Sequence, residues 1–94
     1  MKERITRSSG HVFVDLGFDP AEAAVLQVRS SVMSDLRLYI EKHKLTPAES
    51  AKRLDIAQFR VSDLVRGKWD TFNLEMLIML EARLGRTVRV EFAA

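Results

Sequence analysis

Apolar residues recur every three or four positions through most of the chain, and breaks in that rhythm mark where one helix yields to the next. Ala21, Val25, Val28, Val32, Leu36, Tyr39 and Ile40 form such a stripe, which predicts an amphipathic helix from Pro20 to about His43. Asp19 and Glu22 bracket Pro20-Ala21 in a capping-box-like arrangement that would start it. Ser30-Ser31 and the β-branched Val28 and Val32 weaken its middle, so one kinked helix and two separate helices both remain open. Lys44-Leu45-Thr46-Pro47 ends the segment, because the residue before a proline avoids the α region.

The stretch from Leu45 to Lys68 reads as two short helices around a tight turn. Thr46 can cap the first by accepting from an otherwise unpaired N–H, and Pro47 suits the first helical position, where no N–H is needed. Ala48, Ala51 and Leu54 then recur at helical spacing, two of them small enough for close approach by another helix. Asp55, Ile56 and Ala57 make the turn, with Ile56 filling the gap between the helices. The second helix, about Gln58 to Arg66, should bury Val61, Leu64 and Val65 and end at Gly67. Its other face carries Gln58, Phe59, Arg60, Ser62, Asp63 and Arg66. Two helices so joined predict a helix-turn-helix whose second helix faces a DNA groove.

Beyond Gly67, Trp69 and Phe72 are expected to cover an edge of the core, and Asn73 caps a final helix from Leu74 to Leu84 that Gly85 stops. That helix carries Leu74, Met76, Leu77, Ile78, Met79, Leu80, Ala82 and Leu84 against only Glu75, Glu81 and Arg83, more apolar surface than one small monomer covers. From Arg86 to Phe92 the period changes to two, with Val88, Val90 and Phe92 opposite Thr87, Arg89 and Glu91, which predicts a lone β-strand. A lone strand must find a mate. Residues 12–14 could supply one; the same strand of a second copy is preferred, making Val88, Val90 and Phe92 the dimer contacts.

The N-terminal end divides in two. Residues 1–10 are polar and close on Ser8-Ser9-Gly10, as a mobile arm would. His11 to Phe18 is too short for a helix before Gly17, and Phe13, Leu16 and Phe18 are expected to complete the core of the helical body.

Composition narrows the function classes. Ninety-four residues, 47% apolar and 30% charged, make one small folded domain, residues 11–94. Cysteine is absent, and His11 and His43 have no evident metal partners, so neither a disulfide framework nor a metal site is expected. No cofactor is implied. No apolar run approaches the ~18 residues of a membrane span, and the N-terminus lacks a signal-peptide core, which places the protein in the cytoplasm. No GxSxG, P-loop or HExxH motif is present, which argues against an enzyme. The net charge of +2 says little, but residues 42–68 carry seven Lys and Arg against three acids, on the segment proposed to meet phosphates.

The run Leu45-Thr46-x-Ala48-Glu49-x-Ala51-x-x-Leu54-x-Ile56-x-Gln58-x-x-Val61-Ser62-x-Leu64-x-Arg66-Gly67 resembles the Xre-type helix-turn-helix of the lambda-repressor-like regulators. Asp55 stands where that family usually has Gly, and Ala57 where it usually has Ser or Thr. Beside the motif, His11-Val12-Phe13-Val14-Asp15-Leu16-Gly17-Phe18 resembles the Asn-Val-Phe-x-Asp-Leu-Gly-Phe opening of the compact HigA-like antitoxins encoded beside RelE-type toxins. The resemblance implies an all-α, lambda-repressor-like bundle of four to five helices with a short C-terminal β-strand. It further implies a cytoplasmic homodimer that represses transcription from an inverted-repeat duplex, with a RelE-type toxin as a second partner. A stand-alone Xre regulator and a toxin-sheathing module with a minor DNA role are the alternatives. By side-chain chemistry Gln58 is the first choice to read a base, with Arg60, Phe59, Ser62 and Asp63 beside it. By position in the family, Thr46, Arg66 and Lys68 would touch the backbone.

Overall fold

The structure, a computed structural model, describes residues 11–93 and the side chains of 13–93, so the expected N-terminal arm lies outside the described residues. Five α-helices follow one another: α1 (His11–Asp15), α2 (Pro20–Lys42), α3 (Pro47–Leu54), α4 (Gln58–Val65) and α5 (Leu74–Arg83), with a 3-10 turn at Trp69–Thr71. The helix at His11–Asp15 corrects the expectation that this segment is too short for one.

α2 is the spine. The Asp19 carboxylate accepts from the Ala21 and Glu22 N–H groups at 2.9 and 3.4 Å, capping its first turn. The weak middle holds as one unbroken helix, since Val32, Met33 and Leu36 pack into the core there; the Ser31 hydroxyl donates to the Gln27 carbonyl one turn back, at 3.1 Å. Its core face is not quite the expected one. Val32, Leu36 and Ile40 are buried as expected, together with Met33, but in the first half Ala23 and Leu26 are buried while Ala21 and Val25 are exposed. The buried face there lies to one side of the predicted stripe, of which Val28 still packs on the core, and α1 packs against α2. Leu54 of α3, Leu64 of α4, Phe72 and Leu77 and Leu80 of α5 complete one continuous core with α2. Each fully buried side chain of this size contributes ~1.5–3 kcal/mol.

Every α-helix ends the same way. A residue of positive φ follows the last turn (Gly17, Lys44, Asp55, Gly67 and Gly85), and the next N–H reaches back to a carbonyl five residues earlier at 2.9–3.1 Å. Leu45 and Ile56, the residues that make this bond after α2 and α3, also pack on the core. The end of α2 is thus set by this motif at Lys44 as well as by Pro47. Lys44 and Asp55 hold φ 51° and 58° without being glycine. Asp tolerates that region, whereas a lysine there is strained. Lys44→Gly is therefore expected to stabilise the fold by ~0.5–1 kcal/mol, raising the melting temperature by roughly 2–6 °C in a thermal melt.

The C-terminal strand is not seen. Arg89 makes a single β-bridge and the other residues from Arg86 to Ala93 are neither helix nor strand. The period-two pattern is real, but residues 12–14, one of the two candidate mates, lie within α1 and offer no strand edge. The tail is instead anchored at its start. Arg86 Nη2 donates to Asp35 Oδ1 at 2.8 Å, Nε lies 3.0 Å from Glu81 Oε1, and the guanidinium sits 5.4 Å from the Tyr39 ring centroid. Phe92 is left 97% exposed and Val90 is exposed with it.

Glu81, expected among the polar residues of α5, is buried at 3% exposure. Its Oε1 has the ion-pair contact with Arg86 but no hydrogen bond of good geometry. Burial raises the Glu81 carboxyl, and the neighbouring Asp35, to which a protonated Glu81 can donate, raises it further; Arg86 opposes both, and the result is about 8. Between the ordinary carboxylate value of 4.5 and about 8, folded Glu81 keeps a proton that the unfolded chain has released. Stability from this group is therefore full below about pH 4.5 and lost as pH rises through about 8. Urea melts from pH 5 to 9 should show that decline in the natural chain and a flatter profile in Glu81→Gln.

Candidate nucleic-acid interface

The motif helices are placed by local chemistry that the sequence specifies. Thr46 Oγ1 accepts from the Glu49 N–H at 3.1 Å while Glu49 Oε1 accepts from the Thr46 N–H at 2.9 Å, a complete capping box with Pro47 behind it. Asp55 takes the left-handed position at the end of α3, and Ile56 wedges against the core. Arg83 of α5 donates to the Leu54 carbonyl at 2.9 Å, tying the last turn of α3 to the bundle. On α3 the buried small residue is Ser50 rather than Ala48, which is exposed, or Ala51, which is half-buried. α4 begins at Ala57 with no side-chain cap, as Ala must.

The exposed face of α4 follows from its buried one. Val61 and Leu64 point into the protein, whereas Val65, expected beside them, is exposed. Stepping about 100° per residue from that pair, the direction away from the core falls on Phe59, Ser62 and Arg66. Gln58, Phe59, Ser62 and Arg66 are all exposed.

Arg60 lies on a flank, Asp63 lies as near the outward direction as Ser62, and both are half-buried. Arg60 Nη1 donates to the Thr71 carbonyl at 3.0 Å, and its guanidinium stands 4.2 Å from the Phe72 ring centroid. Asp63 Oδ1 lies 3.8 Å from Lys68 Nζ. Both side chains thus serve the turn after α4, and Arg60 reaches a base only by releasing two contacts. The Thr46 hydroxyl accepts within its capping box and keeps its proton free to donate.

That turn is held from several sides. Phe13, Phe18 and Trp69 form a triangle of edge-to-face rings with centroids 5.9–6.1 Å apart, joining α1 to the 3-10 turn. Leu16, expected in the same group, is exposed. Arg29 Nη1 reaches the Trp69 carbonyl at 3.4 Å, and Thr71 Oγ1 donates to the Lys68 carbonyl at 2.8 Å. The turn that follows α4 thus rests on a rigid support, which fixes the C-terminal end of that helix.

The structure also brings in a residue that the sequence reading passed over. Arg37, exposed on α2, has its Nη1 3.7 Å from the position a Cβ on Gly67 would take, so it stands at the C-terminal end of α4 beside Arg66 and Lys68. It lies just before the basic segment that was counted, and only a helical wheel of α2 set against the motif would have found it. This end of α4 therefore carries three exposed basic residues. Among the described residues no group of three or more His, Cys, Asp or Glu could hold a metal ion, and no helix is long and apolar enough to cross a membrane.

Comparison with known proteins agrees with this geometry. A family model described as a helix-turn-helix domain matches residues 12–92, from α1 through the tail. No curated protein and no solved structure matches the chain significantly. With a motif of two short helices around a tight turn, an exposed second helix and a family match over nearly its whole length, the chain belongs to the helix-turn-helix domain family.

Proposed function

We propose that this protein is a sequence-specific repressor that binds an inverted-repeat duplex as a homodimer. The observation that supports it best is the exposed face of α4, with uncharged readers Gln58, Phe59 and Ser62 next to a cationic edge of Arg66, Lys68 and Arg37. The cations supply salt-dependent attraction to any duplex, while base edges in the major groove supply the choice of sequence. Gln58 opens α4 and is the principal reader, since its amide can bond an adenine edge at two points. Thr46 donates its free hydroxyl proton to a phosphate. The dimer forms by pairing the tails, with Val88, Val90 and Phe92 covered by a second copy. Support comes from Val90 and Phe92, which stay exposed in one chain, and from residues 12–14, which are helical and offer the tail no strand edge.

The resemblance to HigA-like antitoxins extends the proposal to a cytoplasmic antitoxin that represses its own operon and binds a RelE-type toxin. Exposed Ile78 and Met79 on α5 favour a further protein partner.

Selection from a randomised duplex library, followed by footprinting and sedimentation, tests this reading. The expected result is a palindromic site with half-site centres roughly 34 Å apart, bound by a dimer. A monomer both free and on DNA would refute the dimer, and failure to enrich any sequence would refute the repressor. Co-purification with the product of the adjoining reading frame tests the toxin partner.

A further inference from the structure

α4 carries a large apolar ring where the fold has no use for one. Phe59 is 69% exposed and lies at the centre of the face directed away from Val61 and Leu64. Phe13, Phe18 and Trp69 pair with one another and Phe72 is buried under Arg60, whereas Phe59 takes part in no ring pair or cation contact among the described residues. Phenylalanine is also a mediocre helix former, so the position does not favour it locally.

The surroundings of the ring are specific. Of the charged residues nearest it, Arg60 is held to the Thr71 carbonyl at 3.0 Å and Asp63, one turn on, lies 3.8 Å from Lys68. Gln58 and Ser62 beside it are uncharged and able to bond base edges, and Arg66 follows two turns on, on the same face. The ring belongs to the first turn of α4, the part of a recognition helix that meets the bases. A phenyl ring pressed on polar base edges would strand their donors and acceptors. The major groove offers one apolar group that avoids this, the C5-methyl of thymine.

We infer that Phe59 reads a pyrimidine C5-methyl group in each half-site. The inference rests on the proposal that α4 enters the major groove, and it adds a property that motif membership does not imply. Because the recognised group is the methyl rather than the base, 5-methylcytosine presents the same chemistry, and binding at this step responds to cytosine methylation.

The test uses the full chain and the duplex that selection enriches. Each thymine is replaced in turn by uracil, which removes the methyl and leaves every hydrogen bond in place. One position per half-site is expected to lose about three- to tenfold in affinity, the worth of a single buried methyl. Phe59→Ser should bind the thymine and uracil duplexes equally, while Phe59→Leu keeps the discrimination. With cytosine placed at that step, 5-methylation should recover affinity in the natural chain and not in Phe59→Ser. Thermal melting checks that Phe59→Ser folds, as an exposed position allows. Indifference to uracil at every thymine, a site without thymine under α4, or a uracil penalty that persists in Phe59→Ser overturns the inference while leaving DNA reading intact. If no sequence is enriched, DNA reading fails and the inference falls with it.

Discussion

Phe72→Ala is expected to cost ~3–5 kcal/mol, enough to lower the melting temperature by roughly 15 °C. Phe72 is only 2% exposed and meets the shared core of α2, α4 and α5 just beyond the 3-10 turn. Truncation to Ala leaves a cavity between α2, α4 and α5 that the surrounding core fills only in part. It also removes the ring on which Arg60 rests, 4.2 Å from its centroid, and with it one of the two contacts Arg60 makes to the following segment. Phe72→Leu retains most of the volume and should lose about 1 kcal/mol. Urea denaturation of both variants measures this, and a loss under 1 kcal/mol for Phe72→Ala would show that the turn does not depend on the core. For a domain with a total stability of ~5–10 kcal/mol, DNA binding by Phe72→Ala should fall because the folded population falls.

The second large effect concerns the reading surface. Gln58→Ala should weaken binding to the selected duplex by ~1–3 kcal/mol and random duplex hardly at all, because an amide matched to a base edge has no counterpart elsewhere. Arg66→Ala should weaken both alike and reduce the salt dependence by about one phosphate contact. Both residues are exposed and make no contact that the fold needs, so the two variants separate reading from attraction without loss of structure. Titrations on both duplexes at several salt concentrations check this. Equal losses on the two duplexes for Gln58→Ala would remove it from the readers.

The motif was legible because its signals are local. Thr46, Glu49, Pro47, Asp55 and Gly67 each act within a few residues of themselves, and their caps formed as the chain order requires. Long-range partners were not legible. α1 exists because Phe13 and Phe18 find Trp69, some fifty residues away, and a five-residue helix has no stability of its own. The burial of Glu81 depends on Asp35 and Arg86, of which only Arg86 is near in sequence. In the first half of α2 two apolar stripes compete, through Ala21 and Val25 or through Ala23 and Leu26, and the choice belongs to the packing of α1. The tail at 86–92 shows the opposite error. Alternation of side chains describes what a strand would expose on each face, but pairing decides whether it forms. On α4 the periodicity gave the right helix, but it could not show that Arg60 and Asp63 turn toward Thr71 and Lys68, which lie beyond Gly67.

The most direct test of the account is an amide chemical-shift map of the labelled protein titrated with its selected duplex. The account predicts the largest changes at Thr46 and the first turn of α3, along Gln58 to Arg66, and at Gly67 and Lys68, with Arg37 marking the α2 side of the footprint. Changes confined to α5 and the tail, with α4 unmoved, would contradict it.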